Sequence, residues 1–508
     1  MPTRPKLTPA LVPSLDARAD LTLPTAAQLG LPERAVQFGT GALLRGLVDA
    51  LLDDANRKGM FGGRLVMIGS TGSGRDRAIN DQGGLFTLVV QGLVGGAARR
   101  DFQVVSSVSR ALAASTQWPD VLRCAESPEL ELIFSNTTEI GIVLDETDAR
   151  SAPTDAAPRS FPAKLTAFLL HRARWCRFDT SRAPIVIPTE LIEDNGGKLR
   201  DIVRTLASRW DTEPEFLTWL DAVRFCNTLV DRIVPGAPSE QYAGELRALL
   251  PYDDGMMTIA EPYRLFAIEG DAALRERLRF ADADEGIIVA GSITPYRLRK
   301  VRLLNGAHTS FVSLAILAGC RTVREAVEHP AVGSFLRAVL LDEIVPSLDV
   351  PGAEGFAREV LGRFANPYLQ HQLWDITLQG TTKFRVRVVP SILDHVRLTG
   401  SVPRALALGF AGFLAFQQGT LQEVRRRGGE SVPADAAGEP IRARWSDVDD
   451  SPAALASFVR TIASDTELWG ADLAAIPGFV EVVTEDLSTI REHGAVAAIE
   501  SLRLAPVR

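Results

Sequence analysis

Short apolar runs typical of β-strands alternate with segments of helical spacing through the first half of this 508-residue chain. Strands that alternate with helices favour a mainly parallel sheet with helices on both faces, because parallel neighbours need a crossover connection. We therefore predict an α/β domain. The runs lie at residues 35–38, 64–68, 85–93, 104–108, 132–134 and 185–187.

The pattern changes after about Pro295, where segments of helical spacing dominate and β-type runs become scarce. Examples are residues 300–317, 332–343 and 405–418. The sequence thus predicts two domains, an α/β domain over residues 1–290 and a mostly α-helical domain over residues 291–508.

Composition narrows the function classes. Lys and Arg total 55 against 63 Asp and Glu, a formal net charge of −8, which argues against a nucleic-acid partner. The longest apolar stretch, residues 405–416, is shorter than the ~18 residues of a membrane span. The 4 cysteines never form a C-x-x-C pair, which indicates neither a disulfide framework nor a zinc site. We expect a soluble, cytoplasmic protein.

A glycine turn directly follows the first apolar run, in the segment AVQFGTGALLRG (35–46). Gly39 and Gly41 stand between a predicted strand and a predicted helix, where glycines let the backbone approach a pyrophosphate at the helix N-terminus. Leu44 replaces the third glycine of the G-x-G-x-x-G pattern, and no Asp or Glu ends the next run. The context favours a dinucleotide site over a tight turn without ligand, and Arg75 leaves both NAD and NADP open.

A second glycine-rich segment, residues 69–74, has the glycine spacing of a phosphate-binding NTPase loop. The residues that follow are Arg75 and Asp76, where that loop needs Lys and Ser or Thr. Because an Asp there would repel phosphate, an NTPase is the weaker alternative.

Lys300, Asn305 and His308 lie within about 140° of one another on an α-helical wheel, next to its apolar stripe. Oxidation of a secondary alcohol could use all three: a base takes the hydroxyl proton while an amide and an imidazole hold the oxygen. Burial and a neighbouring cation disfavour the charged form of an amine, which suits a lysine to that task. The alternative is a structural role for each side chain.

Other polar residues follow predicted strands. Glu190 and Asn195 come just beyond the run at 185–187, at a strand end where α/β proteins bind ligands. Asn227 and Asp231 stand four residues apart in an apolar segment. For Asp231 the alternative is an ion pair with its neighbour or a capping role.

The helical half adds side chains that could neutralise a substrate carboxylate, although a solvated basic face is the commoner explanation for such runs. These are Arg363, Asn366, His371, Lys383 and Arg385.

Taken together, these segments resemble the mannitol dehydrogenase family of polyol-specific long-chain dehydrogenases. The family signature, Lys, four residues, Asn, two residues, His, is matched by Lys300, Asn305 and His308. Further matches run in order from about residue 35 to beyond 390: QFGTGALLRG, SNTTEIGI, FPAKLT, TELIEDNG, NTLVDRIV, KVRLLNGAHT, GRFANPYLQHQL and TKFRVRVVP.

This resemblance implies an N-terminal Rossmann-type domain, a helical C-terminal domain and catalysis without a metal. Lys300 would be the general acid/base, with Asn305 and His308 binding the reacting oxygen. Mannitol-type members carry another Asn near Leu191, for which Asn195 is the substitute candidate. The residues expected to bind substrate are Asn195, Asp231, Asn227, Lys383 and Arg363.

The resemblance also implies NAD as cofactor, with NADP as the alternative. The family's looser G-x-G-x-x-x-R pattern is matched by Gly39, Gly41 and Arg45. The residues expected to bind the cofactor are Phe38, Gly39, Gly41, Arg45, Thr137 and Glu139.

The matching segments are most similar to family members that act on sugar acids. We therefore expect a small sugar acid as the partner and NAD-dependent interconversion of D-tagaturonate and D-altronate as the reaction. Reduction of fructuronate and oxidation of mannitol are alternatives within the family. A non-catalytic nucleotide-binding protein is the alternative of another class, against which the complete Lys, Asn and His set argues.

Overall fold

The computed structural model describes most of the chain, and its contacts divide it into two compact units. The first unit is Met1–Val94 with Arg99–Ile293, and the second is Gly95–Ala98 with Thr294–Arg508. Among the helices described, none combines the length and apolar composition needed to cross a bilayer. The described residues are 4–70, 74–137, 141–148, 156–236, 238–419, 435–446, 448–449 and 451–503.

The strands are numbered in chain order. They are β1 Leu21–Thr22, β2 Glu33–Phe38, β3 Arg64–Gly69, β4 Phe86–Val94, β5 Ala97–Val105, β6 Val108–Ala113, β7 Leu132–Ser135, β8 Ile185–Pro188, β9 Arg224–Phe225, β10 Thr228–Asp231, β11 Thr258–Ala260, β12 Leu265–Glu269 and β13 Ile287–Ala290.

The α-helices up to Ile293 are α1 Ala26–Leu29, α2 Ala42–Leu44, α3 Ala50–Arg57, α4 Arg75–Asp81, α5 Trp118–Cys124, α6 Phe161–Trp175, α7 Asn195–Arg209, α8 Pro214–Leu220, α9 Glu240–Ala248 and α10 Ala272–Arg277. Those that follow are α11 Thr294–Arg299, α12 Gly306–Leu317, α13 Val323–Glu328, α14 Pro330–Arg337, α15 Val345–Ser347, α16 Ala353–Phe364, α17 Leu373–Ile376, α18 Gly380–Arg387, α19 Val389–Thr399, α20 Arg404–Gln418, α21 Glu439–Trp445, α22 Pro452–Ala463, α23 Thr466–Trp469 and α24 Phe479–Ser501. Three π-helical segments, Arg45–Asp49, Lys300–Asn305 and Ala338–Ile344, join α2 to α3, α11 to α12 and α14 to α15.

The central sheet of the first unit has six parallel strands in the order β6-β3-β2-β7-β8-β9. In order of appearance within this sheet, that is the 3-2-1-4-5-6 arrangement of dinucleotide-binding folds. The strand order reverses between β2 and β7, and ligands of such sheets bind at the carboxyl end of the strands there. The predicted α/β fold of Rossmann type is confirmed.

Side chains on both faces of this sheet are buried, as a parallel sheet covered by helices requires. Along β2, Ala35 belongs to the core on one face, whereas Val36 and Phe38 belong to the core on the other. Strand β3 alternates in the same way, with Met67 on the first face and Ile68 on the second. This explains why both strands read as continuous apolar runs.

Two smaller sheets, β1-β5-β4-β11 and β10-β12-β13, complete the strand structure. The apolar run at 104–108 was expected to be one strand, but β5 ends at Val105 and β6 begins at Val108. The two serines between these strands are fixed by helix α3 and its preceding turn: Ser106 bonds to the Asp53 carboxylate and Ser107 to the carbonyl of Asp49.

The second unit is helical, and no strand follows β13 among the described residues, as predicted. Two of its helices, α12 and α20, are buried on nearly all sides. They approach closely through glycines of α20. A Cβ added to Gly409 would lie 2.9 Å from the carbonyl oxygen of Ser310, and one on Gly412 would lie 2.5 Å from Leu314 Cγ. This packing fixes α12, which carries His308.

Helix α6 is anchored to the amino-terminal edge of the central sheet by Arg172, which is 1% exposed. Its guanidinium donates to four backbone carbonyls, those of Ala125, Ser127, Leu130 and Arg182. Each of these carbonyls lies in a segment next to β7 or β8, so one side chain satisfies several buried acceptors.

We predict that Arg172→Met lowers the free energy of unfolding by about 3 kcal/mol, because buried carbonyls lose their donors. Arg174→Met is the matched control. Arg174 lies on the same helix but forms an ion pair with Glu213 in which its own side chain is 55% exposed, so its loss should cost less than about 1 kcal/mol. The measurement is urea unfolding followed by tryptophan fluorescence, and equal losses in the two variants would contradict the prediction.

Candidate active site

The glycine turn lies at the carboxyl end of β2, where the strand order reverses. Gly39 has φ +128°, and a Cβ there would lie 2.8 Å from the carbonyl oxygen of Asn136 and 2.9 Å from Leu44 Cδ1. The N–H of Gly39 donates a hydrogen bond to the carbonyl of Ile68 at 2.9 Å. The N–H of Asn136 donates to the carbonyl of Phe38 at 3.1 Å. Only glycine fits this conformation and this close approach.

Gly41 precedes a continuous helix over residues 42–57, whose N-terminus points at the turn. Apart from its two chain neighbours, no atom of the described residues lies within 4 Å of a Cβ placed on Gly41. Free space beside backbone N–H groups at a helix N-terminus suits a pyrophosphate. These features fit the dinucleotide that the sequence predicts.

The glycine missing from the G-x-G-x-x-G pattern is functionally replaced two residues later. A Cβ on Gly46 would lie 2.8 Å from both γ-carbons of Val234, so Gly46 permits close packing of the helix. The Gly46 carbonyl, within the π-helical segment, accepts a hydrogen bond from the buried guanidinium of Arg232. Arg232 also donates to the carbonyl of Glu261. Because Arg232 directly follows β10, these bonds connect the end of β10 to the helix.

Arg45 stabilises the glycine turn through a hydrogen bond to its backbone. It is buried, and its guanidinium donates to the carbonyl of Thr40, between the two glycines, and to Thr258 Oγ1 at 2.9 Å. Burial lowers the pKa of Arg45 to about 10, and it raises that of Asp49, one turn along the helix, to about 8. The side chain was expected to bind cofactor, but this geometry makes it a positioning residue for the turn.

Other residues expected to bind the cofactor are engaged within the domain. The Phe38 ring is fully buried and packs on Phe161 and Phe168, so only its backbone faces the strand end. Thr137 follows β7, and its N–H and hydroxyl both donate to Glu190 Oε1, at 2.9 and 3.1 Å. Glu139 lies outside the described residues.

Glu190 links two strand ends, a role that sequence reasoning did not assign. It is 3% exposed and accepts hydrogen bonds from Thr137 and from Ser135 Oγ. Burial raises the pKa of its carboxyl group, while these donors oppose the shift.

The expected role of Asn195 as a donor to a substrate oxygen is not supported by its surroundings. Its amide is fully buried and donates to Pro188 O, Glu190 O and Thr228 Oγ1 at 3.0–3.1 Å. Asn227 is likewise structural, since its Oδ1 accepts from two backbone N–H groups at the start of α7. Asp231 is 6% exposed at the end of β10.

The Lys, Asn and His set of the second unit lies on one continuous helix over residues 294–317. Lys300–Asn305 is a π-helical segment, in which the N–H of Gly306 donates to the carbonyl of Val301, five residues back. Residues five apart lie about 140° apart on an α-helix but come one above the other in a π turn. The π turn therefore places Lys300 and Asn305 closer in angle around the helix than the 140° of the α-helical wheel.

His308 follows in α12 and is held by rings. It stacks on Phe364 with centroids 4.0 Å apart, contacts Phe311 at 6.0 Å, and meets the edge of His371 at 5.2 Å. Its Nε2 is buried and has no hydrogen-bond partner among the described residues. A buried polar atom without a partner is costly unless a ligand supplies one.

Several basic side chains lie near enough to His308 to affect its pKa. Burial, then the charges of His371, Arg363, Arg387 and Lys383, lower the pKa of His308 well below 6.5. The imidazole is therefore neutral at physiological pH. Of the side chains that the sequence indicated could neutralise a carboxylate, His371, Arg363 and Lys383 affect the pKa of His308.

Arg385 does not belong to this group. It is exposed and donates to the carbonyl of Glu467 at 3.1 Å, away from the helical face that carries Lys383. Arg387, four residues after Lys383, affects the pKa of His308, whereas Arg385 is not among the groups that do. Among the described residues, no cluster of His, Cys, Asp or Glu is arranged to hold a metal ion.

Two family models match the chain. The mannitol dehydrogenase Rossmann domain matches residues 33–281, and the mannitol dehydrogenase C-terminal domain matches residues 292–491.

Curated relatives match over nearly the whole length. An altronate oxidoreductase of Bacillus subtilis (strain 168) is 38% identical over 471 residues, which cover 92% of this chain and 95% of that protein. An altronate oxidoreductase of Yersinia enterocolitica is 38% identical over 475 residues, covering 92% and 96%.

Solved structures share the fold. A mannitol 2-dehydrogenase of Pseudomonas fluorescens, in a ternary complex with NAD and D-mannitol, aligns with a TM-score of 0.66 at 21% identity, over 98% of this chain and 99% of that one. A D-sorbitol dehydrogenase in substrate-free form aligns with a TM-score of 0.75 at 22% identity, over 97% and 100%.

The glycine turn generates a testable prediction. Gly41 has φ −67°, which any residue adopts, so Gly41→Ala should leave the unliganded protein as stable as the parent. Its methyl group would occupy the space beside the turn, and we expect the Kd for a reduced nicotinamide dinucleotide to rise at least about tenfold, about 1.4 kcal/mol. Fluorescence titration measures the Kd.

Gly39→Ala is the companion variant. It should lower the melting temperature as well as the affinity, because its Cβ meets backbone in a conformation unfavourable for alanine. If Gly41→Ala binds the dinucleotide as tightly as the parent, the pyrophosphate does not lie at this turn.

Proposed function

Since the chain belongs to the mannitol dehydrogenase family and is an oxidoreductase acting on CH–OH groups, we propose that it interconverts D-tagaturonate and D-altronate with NAD as cofactor. The relatives at 38% identity are altronate oxidoreductases, which supports a sugar acid over a neutral polyol. The fold relative that holds NAD supports the choice of cofactor.

The observation that carries the reaction type is the arrangement of Lys300, Asn305 and His308 on one helix. The π turn supports a site here because it places Lys300 and Asn305 on one side of the helix, and the imidazole has a buried nitrogen without a hydrogen-bond partner in the described part of the chain. Alcohol oxidation and ketone reduction both need a group that exchanges a proton with the reacting oxygen and groups that hold this oxygen. An amine beside an amide and an imidazole meets both needs.

The chain's own residues bind the reacting oxygen and transfer its proton. A nicotinamide dinucleotide held at the Gly39–Gly41 turn would supply the hydride that is exchanged with the substrate carbon. In the reducing direction, Asn305 and neutral His308 hold the ketone oxygen, and protonated Lys300 gives it a proton as negative charge develops there. In the oxidising direction, Lys300 takes that proton back.

The cations near His308 support a carboxylated substrate. Their charge would attract a sugar acid and would also stabilise the developing alkoxide, whereas a neutral ketose needs no such charge. This electrostatic environment favours tagaturonate or fructuronate over fructose as the substrate.

Direct assays decide among the substrates. We expect oxidation of NADH with D-tagaturonate at a kcat/KM at least about tenfold above that with fructuronate or fructose, and faster with NADH than with NADPH. A higher kcat/KM with fructuronate would select the related reductase activity. Equal or better turnover of fructose would reject a sugar-acid substrate.

The proton transfer gives a second prediction. Lys300→Met should lower kcat by about 10²–10⁴-fold, the usual contribution of a general acid/base, while the Kd for NADH stays near that of the parent. Lys6→Met, at an exposed lysine paired with Asp81, is the control and should leave kcat unchanged. A Lys300→Met enzyme within a few-fold of the parent would refute the mechanism.

A further inference from the structure

Helix α18 carries two half-buried cations four residues apart, Lys383 and Arg387. Positions i and i+4 lie on one face of a helix, so the two side chains are neighbours. Only Lys383 was singled out from the sequence. Arg387 is the new element.

This face of α18 lies next to the candidate catalytic helix. A Cβ added to Gly306 would be 3.1 Å from the carbonyl oxygen of Arg387, so the start of α12 packs directly on the end of α18. Gly306 is the residue between Asn305 and Ala307, and His308 is two residues further on. The charges of Lys383 and Arg387 are both felt at His308.

No described carboxylate forms an ion pair with these two cations. Lys383 donates to the carbonyl of Ile376 at 3.1 Å, and among the described residues no carboxylate forms an ion pair with it or with Arg387. Burial lowers the pKa of Arg387, and burial with the Arg387 charge lowers that of Lys383, an effect that Asp435 opposes from a distance. Two partly desolvated cations side by side are unfavourable unless an anion joins them.

The other cations nearby differ in their surroundings. Arg363 is 7% exposed, lies beside Phe364 in α16 and already has an interaction within the protein. Arg385 is on the opposite side of α18 and bonds to a backbone carbonyl. Arg387 is therefore the guanidinium best placed to accept an external anion.

We propose that Arg387, assisted by Lys383, binds the carboxylate of the substrate and selects sugar acids over neutral ketoses. A guanidinium offers two parallel N–H donors that match the two oxygens of a carboxylate, which a CH2OH group cannot replace. The inference rests on the proposed function and names the residue that sets its substrate class.

The experiment compares tagaturonate with tagatose, the ketose that carries CH2OH in place of the carboxylate. In the full-length enzyme with saturating NADH, Arg387→Met should lower kcat/KM for tagaturonate by about 10²-fold or more, mainly through KM, since a partly buried charge-assisted pair is lost. The kcat/KM for tagatose should change less than about threefold. Arg387→Lys should retain part of the preference.

Arg385→Met is the matched control, because it removes the same charge from the same helix at an exposed position. It should leave both substrates unaffected. Arg387→Ala, with guanidinium ion added at millimolar concentration, is the second variant: recovery of tagaturonate turnover would support a direct role for the lost group. Melting temperature and NADH affinity report whether each variant is folded.

The outcomes separate this inference from the proposed function. If the parent enzyme reduces tagaturonate but Arg387→Met loses activity equally on tagaturonate and tagatose, or keeps both, the inference is overturned and the function stands. A loss in Arg385→Met equal to that in Arg387→Met would overturn it as well. If the parent reduces neutral ketoses only, both fail.

Discussion

Positive charge around a buried imidazole is the constraint that governs the candidate site of the second unit. His308 is enclosed by rings, and four cationic or titratable groups disfavour its protonation. A neutral imidazole can still bind an oxygen, and the same cations favour any negative charge that enters. The whole chain has a net charge of −8, so this local concentration of positive charge could not be inferred from composition.

The helix that carries this site is held rigidly by packing. Gly409 and Gly412 let α20 approach α12 to backbone contact distance, and the ring of Phe364 fixes the plane of the imidazole from another helix. Catalytic groups need such support, because small displacements reduce the overlap between donor and reacting atom. The glycine turn of the first unit is supported similarly, by Arg45 beneath and by Asn136 beside it.

The sequence predicted those features that depend on local pattern. Short apolar runs predicted strands β2, β3, β7 and β8. The position of Gly39 between a predicted strand and a predicted helix indicated the glycine turn. The actual roles of Asn195 and Arg45 were not predictable, because their partners, Thr228 and Thr258, lie far along the chain.

Arg385 and Arg387 show a second limit of sequence reasoning. Both stand in one basic run, and only the rotation of α18 about its axis relative to α12 decides which charge affects His308. The rotation of α18 depends on how its end packs against Gly306, and this contact cannot be inferred from the spacing of residues along the sequence. Glu190 was noted at the end of β8, but its bonds to the end of the neighbouring strand β7 could be seen only in the assembled sheet.

The π turn at Lys300–Asn305 also limits how the chain can change during evolution. A π turn amounts to one extra residue accommodated inside a helix. Deletion of one residue between Lys300 and Asn305 would restore regular α-helical bonding and leave the two residues four apart, which are still neighbours on one face. Substitutions that keep the length of the segment but favour regular α-helical bonding would instead place the two residues about 140° apart around the helix. The segment therefore tolerates loss of its extra residue better than loss of its π geometry.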